Sequence, residues 1–212
     1  MARLLIMGAS HGVGLATVKA ALAAGHSVRA FSRSASKIAI EDPRLEKADG
    51  DALDATAVKA ALASRDAVIQ SLGVALSPAT VLFGTQLFSQ ATRLLVDAMV
   101  AAGPQRLIVV TGISAGNSRA ALGPLMAAAF QLSLRRIYDD KDLQELIVTR
   151  SPLSWTIVRP GFLDNGPATS CRALLRPEQW QAGPVSRAAV ARFIVGHLDD
   201  PTYLRQTPLL IT

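Results

Sequence analysis

The chain has 212 residues, of which half are apolar and 18% are charged. This length and composition predict one globular domain with a complete core and argue against a disordered chain. The net charge is +6, but the lysines and arginines are scattered, so we expect a solvated basic surface and no nucleic-acid interface. One cysteine and three histidines without ligand spacing predict neither a disulfide framework nor a metal site.

Apolar runs in this chain are short. Only three residues precede the first run, which is too few for a signal peptide, and that run already ends at Gly8. No uninterrupted apolar run reaches the length that spans a bilayer. We therefore expect a cytoplasmic protein that makes no membrane contact.

Strand and helix patterns alternate along the chain. In chain order they predict a strand at residues 4–7, a helix at 12–24, strands at 27–31 and 45–48, a helix at 55–62, a strand at 67–70, a helix at 85–102, a strand at 106–110, a mostly helical stretch at 120–150, a strand at 155–158, a helix at 187–198 and a strand at 208–211. The stretch around Pro78 is expected to be irregular. The alternation predicts an α/β fold, with a single Rossmann-fold domain over residues 1–212, a doubly wound parallel sheet and helices on both faces. Residues 161–186 are rich in proline and glycine and are expected to form a loop region on the substrate side.

The turn between the first strand and the first helix carries three glycines. Gly8 lets the chain leave the strand sharply, Gly12 lets the backbone approach a pyrophosphate, and Gly14 lets the helix pack closely on the sheet. The free N–H groups and the dipole at the helix start stabilise phosphate charge. Because the turn lies between a strand and a helix, it predicts a dinucleotide site.

The end of the second strand indicates which dinucleotide binds. NAD sites often place an Asp or Glu there for the ribose hydroxyls, whereas an arginine suits a 2′-phosphate. Here Arg33 lies between the hydroxyls of Ser32 and Ser34, which favours NADP(H) over NAD(H). After the third strand, Asp51 either accepts a hydrogen bond from the adenine amino group or caps a turn, and the spacing does not decide between the two.

Six motifs occur in order: GASHGVG at 8–14, SR at 32–33, GDALD at 50–54, SLG at 71–73, VVTGIS at 109–114 and WTIVRPG at 155–161. This ordered set resembles the atypical short-chain dehydrogenase/reductase group. Within that group it is similar to small NAD(P)H-binding proteins of the NmrA and flavin/biliverdin reductase kinds. The resemblance covers nearly the whole chain.

The resemblance implies cofactor contacts at each motif. The pyrophosphate and adenosine ribose would be bound by Ser10, His11, Gly12, Val13 and Gly14. The adenine and its ribose would be contacted by Asp51, Ala52, Leu72 and Gly73. The nicotinamide ribose and amide would be contacted by Thr111 and the residues up to Ser114, by Lys141 in a Lys-x-x-x-Glu pattern, and by Pro160, Gly161 and Phe162.

The sequence departs from this family in two places. Many atypical members have a glycine where His11 stands here. Conventional members use a catalytic Tyr with a Lys four residues later, but Tyr138 is followed by Lys141 after three residues and by Asp142 after four. Residues three apart still share a helix face, so Ser114, Tyr138 and Lys141 are the candidate catalytic residues. Tyr138 as a packed tyrosine is the alternative.

These features favour an NADPH-dependent oxidoreductase that passes a hydride to a small conjugated acceptor such as a flavin or quinone. Apolar side chains that could hold the acceptor are Leu76, Phe83, Phe88, Met126, Phe130 and Phe162, although most of these residue types are commonly core residues. One alternative is an NADP(H)-sensing regulatory protein similar to NmrA, and another is an NAD(P)-dependent epimerase or isomerase. The apolar stretch 120–134 suits either a homodimer contact or a cover for the substrate cleft.

Overall fold

The computed structural model describes residues 1–123, 127–128, 130 and 134–212. Its centre is an eight-stranded sheet in the order β3-β2-β1-β4-β5-β6-β10-β8, and a separate parallel pair joins β7 to β9. The strands are β1 (Arg3–Met7), β2 (Ser27–Ser32), β3 (Leu45–Asp49), β4 (Ala67–Gln70), β5 (Arg106–Val110), β6 (Ser154–Pro160), β7 (Phe162–Asp164), β8 (Arg172–Leu174), β9 (Pro184–Ser186) and β10 (Leu209–Ile211). Within the large sheet only β8 runs antiparallel to its neighbour, β10. The predicted α/β Rossmann architecture is therefore confirmed.

Helices cover both faces of this sheet. The helices whose bounds lie in the described ranges are α1 (Gly12–Ala23), α2 (Ala55–Leu62), α3 (Pro78–Phe83), α4 (Leu87–Ala102), α5 (Arg135–Arg150) and α6 (Arg187–Gly196). Short 3₁₀ segments lie at Ala35–Lys37, Gly116–Ala121, Pro177–Gln179 and Pro201–Tyr203. Within the described ranges, no helix is both long and apolar enough to cross a membrane.

The core is divided by the sheet into two apolar layers. On one face, α1 and α6 bury side chains such as Val18 and Val190 against the strands. On the other face, α2, α4 and α5 bury side chains such as Val58, Leu95 and Val148. Because the central strands are covered on both sides, they consist mostly of apolar residues, which is why short continuous runs predicted them well.

Two segments are more regular than expected. The stretch around Pro78 forms the short helix α3, because Pro78 fills the first helical position and Ser77 and Thr80 cap each other's backbone N–H groups. Residues 161–186, expected to be a loop, contain the short strands β7, β8 and β9. Each has three residues, which is too short to show a period, and β8 is held by pairing with β10 rather than by its own sequence.

The strand order places the glycine turn at the point where the chain reverses direction across the sheet. β1 lies between β2 and β4, so crossovers leave it towards opposite edges. The carboxyl ends of β1, β4, β5 and β6 meet along one edge, where an open α/β sheet binds its ligands. The turns that follow these four strands therefore build the site.

Candidate functional site

The first turn has the backbone geometry that a dinucleotide requires. Gly8 and Gly12 have φ of 79° and 58°, which side chains rarely allow. A Cβ on Gly8 would collide with the carbonyl of Ser71, and one on Gly14 would collide with the carbonyl of Gly8. Helix α1 begins at Gly12, and no side chain caps its first N–H groups. The turn therefore fits a diphosphate, which is the usual partner of such groups.

The departure at His11 has no effect on this geometry. His11 has φ of −147°, which is extended backbone that any residue adopts. Its imidazole Nδ1 lies 2.9 Å from the hydroxyl of Ser10, and the side chain is exposed. The glycine that the turn requires is at position 12, where φ is positive. A histidine one position earlier is therefore compatible with the binding turn.

Arg33 lies exposed at the end of β2, as its proposed role requires. The segment after it is held in place by Asp49, whose carboxylate accepts hydrogen bonds of 2.8 Å from the N–H and 2.6 Å from the hydroxyl of Ser36. These bonds hold the pKa of Asp49 below its usual range. Half-buried Ser32 and Ser34 flank the arginine. Arg33 is thus an exposed arginine with a serine on each side in sequence, followed by a segment that Asp49 holds in place.

The residues expected to contact the adenine and its ribose follow β3 and β4. Asp51 is exposed, and one of its carboxylate oxygens accepts a 2.9 Å hydrogen bond from the N–H of Leu53. The turn-capping role that the spacing left open is therefore present. Ala52 is buried beneath it, whereas Leu72 is half-buried and Gly73 is exposed just beyond β4. These residues line the same edge of the sheet as the glycine turn.

Lys141 is buried on α5 beside the segment that follows β5. Its Nζ donates a 3.2 Å hydrogen bond to the carbonyl of Thr111 and lies 4.1 Å from the ring centroid of Phe88. Burial lowers the pKa of Lys141 to about 8, with the nearby Glu145 and Asp140 opposing that shift. Three acidic residues of the same helix form salt bridges with arginines: Asp139 with Arg135, Asp142 with Arg119, and Glu145 with Arg159. The Lys141 ammonium is therefore hydrogen-bonded to the turn after β5.

Tyr138 reaches the same turn from the same helix. A Cβ placed on Gly112 would lie 2.6 Å from the Tyr138 hydroxyl oxygen, so the hydroxyl packs directly on this glycine. The ring meets Phe130 edge-on at 4.6 Å between centroids, and burial raises the pKa of Tyr138 to about 12. Ser114 is fully buried, and its hydroxyl has no hydrogen-bond partner within the ranges described. The structure thus brings Tyr138 and Lys141 to one turn.

A buried ion pair supports this turn from below. The Thr111 hydroxyl donates to Glu145 at 2.7 Å, and the guanidinium of Arg159 binds both oxygens of the same carboxylate at 2.5 and 3.0 Å. Arg159 also donates to the side-chain oxygen of Asn117 at 2.8 Å. The sequence did not lead us to expect that Glu145 pairs with Arg159. The signal was a charged residue inside an otherwise apolar strand, which requires a buried partner.

The residues expected to contact the nicotinamide follow β5 and β6. The Pro160 carbonyl accepts a 3.0 Å hydrogen bond from the N–H of Ile113, which ties the β5 and β6 turns together. Gly161 is buried, and a Cβ there would collide with the carbonyl of Gly183. Phe162 is 40% exposed. Backbone and one exposed ring thus line this end of the site.

The apolar candidates separate into two groups. Phe88 is buried beneath Lys141 and Phe130 is half-buried against Tyr138, so both belong to the packing of the turn. Leu76 and Phe83 follow β4 and are 68% and 75% exposed. The expectation that these candidates are core residues is therefore wrong for Leu76, Phe83 and Phe162. Met126 lies outside the described residues, as do several residues of the 120–134 stretch.

A profile of NAD(P)H-binding domains matches residues 8–201. The chain belongs to the NAD(P)H-binding family. Its fold is also similar to three solved structures. The anaerobillin reductase ChuY from Escherichia coli O157:H7 is 31% identical, with 99% of this chain and 96% of that chain covered and a TM-score of 0.79. ChuY from E. coli CFT073 is 28% identical, with 100% and 97% covered and a TM-score of 0.78. A short-chain dehydrogenase/reductase from Veillonella parvula DSM 2008, solved with NADP, is 17% identical, with 100% and 94% covered and a TM-score of 0.81.

Membership of the NAD(P)H-binding family agrees with the glycine turn and confirms the expected relation to atypical short-chain dehydrogenases/reductases. The third likeness concerns the fold alone. A nicotinamide dinucleotide is thus the cofactor of this family, and the residues at the carboxyl edge of β1, β2 and β4 fit it.

Proposed function

We propose that this NAD(P)H-binding protein is an NADPH-dependent oxidoreductase acting on a planar conjugated acceptor, such as a flavin, a quinone or an open-chain tetrapyrrole. The observation that carries the proposal is the exposure of three large apolar side chains, Leu76, Phe83 and Phe162, in the segments that follow β4 and β6. These side chains follow β4 and β6, on either side of the β5 turn. Exposed apolar side chains beside a cofactor turn suit a flat apolar ligand.

In this proposal the glycine turn binds the diphosphate and Arg33 binds the 2′-phosphate through paired hydrogen bonds. Asp51, Ala52, Leu72 and Gly73 contact the adenosine half, as the family resemblance implies. The preference for NADP(H) rests on Arg33, because β2 ends without a carboxylate in the position that NAD sites use.

Lys141 orients the nicotinamide half. Its ammonium is fixed on the Thr111 carbonyl, and Glu145 fixes the Thr111 hydroxyl, so the turn that faces the nicotinamide ribose is rigid. When bound, the nicotinamide supplies the hydride. A conjugated acceptor delocalises the charge it receives, so the protein needs no strong acid. This agrees with Tyr138, whose pKa is raised to about 12 and whose hydroxyl packs on Gly112.

The comparisons support the coarser activity, an NAD(P)H-dependent oxidoreductase, because ChuY is described as an anaerobillin reductase and aligns over nearly the whole of both chains. Residues 161–186 are proposed as the acceptor side of the domain, since they follow β6 and carry the exposed Phe162.

The decisive experiment is an NADPH-oxidation assay against flavins, quinones, open-chain tetrapyrroles and simple carbonyl compounds. We expect turnover with the conjugated acceptors and none with the carbonyl compounds, because the conventional Tyr-x-x-x-Lys acid is absent. Turnover with carbonyl compounds alone would contradict the proposal. Tight NADPH binding without turnover of any acceptor would favour the sensor alternative, which the substitution of Asp142 for the conventional lysine also favours.

Direct titrations test the cofactor preference separately. We expect NADPH to bind at least about tenfold more tightly than NADH, because a charge-assisted contact with the 2′-phosphate contributes about 1.5–3 kcal/mol. Equal affinities would remove the proposed role of Arg33 and leave the oxidoreductase assignment intact.

A further inference from the structure

One arginine from the far end of the chain lies against the glycine turn. Arg187 is the first residue of α6, and a Cβ placed on Gly12 would lie 4.0 Å from its Nε. Gly12 is also the first residue of α1, where uncapped N–H groups begin. The guanidinium of Arg187 and the N–H groups of α1 therefore border the same space.

A neighbouring side chain holds Arg187 in that position. Its Nη1 donates a 2.9 Å hydrogen bond to the side-chain oxygen of Asn165, which follows β7. In the part of the chain that the structure describes, Arg187 forms no salt bridge, although other arginines on the surface do. Its backbone is anchored as well, because the Ser186 hydroxyl caps the start of α6. An oriented guanidinium without a carboxylate partner is suited to bind an anion.

The surroundings of Arg187 have the same charge. It lies at one end of a groove of about 1000 Å³ between α1 and α6, together with Gly12 and Asn165. Lys19 and Arg192 also line this groove, and no acidic side chain is among its described lining residues. Lys19 and Arg192 lie further along their helices, so Arg187 is the cation that a diphosphate above the start of α1 would meet.

We propose that Arg187 is a second arginine of the dinucleotide site, which binds the diphosphate while Arg33 binds the 2′-phosphate, and that Asn165 positions it. This inference rests on the proposed function, because it requires a dinucleotide in the glycine turn. NADPH and NADH share the diphosphate and differ in the 2′-phosphate. Arg187 therefore strengthens the binding of both dinucleotides equally, whereas Arg33 distinguishes between them.

The test is a set of binding titrations with NADPH, NADH and adenosine 2′-monophosphate, which carries the 2′-phosphate but no diphosphate. In Arg187→Gln we expect NADPH and NADH to bind about tenfold to a hundredfold more weakly, by the same factor, with the monophosphate unchanged. In Arg33→Gln we expect losses for NADPH and the monophosphate only. Arg192→Gln removes an equal charge from the same helix and groove, and should change each affinity less than about twofold, because its charge lies about 7 Å further along the helix.

Two further variants keep the result interpretable. Arg187→Lys should recover part of the lost affinity, because it retains the charge without the planar fork. Asn165→Ala should weaken both dinucleotides by a smaller factor, since it frees the guanidinium without removing it. The melting temperature of each ligand-free variant is compared with that of wild type. Equal melting temperatures show that a weaker affinity does not come from a loss of folded protein.

Several outcomes would overturn the inference. The first is a loss of dinucleotide affinity in Arg187→Gln that is no larger than the loss in Arg192→Gln. The second is a loss of affinity in Arg187→Gln for NADPH alone, and the third is an equal loss of affinity for the monophosphate. If wild type binds dinucleotides and Arg187→Gln binds them as well as wild type, only this inference fails. If wild type binds neither dinucleotide, both the inference and the proposed function fail.

Discussion

Replacing Lys141 with methionine is expected to stabilise the folded protein at neutral pH. The ammonium is buried, and burial lowers its pKa from 10.5 to about 8. Since a tenfold change in proton affinity corresponds to about 1.4 kcal/mol, keeping this side chain charged costs the fold about 3 kcal/mol. Its contacts with the Phe88 ring and the Thr111 carbonyl offset about 1–2 kcal/mol of that cost. The expected net gain for Lys141→Met is therefore about 1–2 kcal/mol.

The pH dependence separates the effect of charge from the effect of packing. Between pH about 8 and pH 10.5 the unfolded chain holds the Lys141 proton and the folded chain does not, so the stability of wild type rises through this interval. Below the folded pKa the full cost is present. The variant lacks this group, so its advantage should shrink by about 2 kcal/mol between about pH 6.5 and about pH 9.5.

The assay is urea unfolding of both proteins at these two pH values, with Lys59→Met as the matched control, because Lys59 is exposed on α2. The control should follow wild type at both values. Parallel behaviour of wild type and Lys141→Met across this range would refute the reasoning, because it would mean that the folded state does not perturb the ammonium. The same variant should bind NADPH more weakly, since the β5 turn loses its tether to α5.

Three other substitutions test the rest of the site. Glu145→Gln should reduce the free energy of unfolding by about 3–5 kcal/mol, because it leaves the Arg159 guanidinium buried without its partner; urea unfolding checks this, and a loss below about 1 kcal/mol would contradict it. Tyr138→Phe should lower kcat/KM for NADPH oxidation by less than about tenfold, because a hydroxyl with a pKa of about 12 is a poor acid; a loss of about a hundredfold or more would restore a conventional tyrosine mechanism. Arg33→Asp should weaken NADPH binding at least about tenfold while NADH changes less, and titration with both dinucleotides detects a failure of this pattern.

The first half of the fold was predictable because its signals are local. Each central strand is a short apolar run buried on both faces, and each is followed by a turn or helix with its own start signal. The strand–glycine–helix unit at β1 and α1 lies within about twenty consecutive residues, so its geometry is contained in one stretch of sequence. Arg33 could be placed for the same reason, because β2 follows α1 directly.

Elements that depend on distant partners were harder to predict. Strand β8 has three residues and is ordered by its antiparallel pairing with β10, which lies more than thirty residues later in the chain. The sequence left open whether Asp51 contacts adenine or caps a turn, because an aspartate in a turn can accept a hydrogen bond from its own backbone wherever the turn geometry allows it. The structure shows the turn-capping hydrogen bond. The direction of the Tyr138 and Lys141 side chains required the packing of α5 on the β5 turn.

By itself, the amino-acid sequence determined the α/β class, the dinucleotide turn and the arginine at the end of β2, because apolar periodicity and glycine conformation act between neighbouring residues. Only the tertiary structure decided which charged groups meet. It paired Glu145 with Arg159 beneath Thr111 and brought Arg187 to Gly12 from the opposite end of the chain. Those contacts arise from the stacking of helices on a shared sheet, which places residues side by side regardless of their separation in sequence.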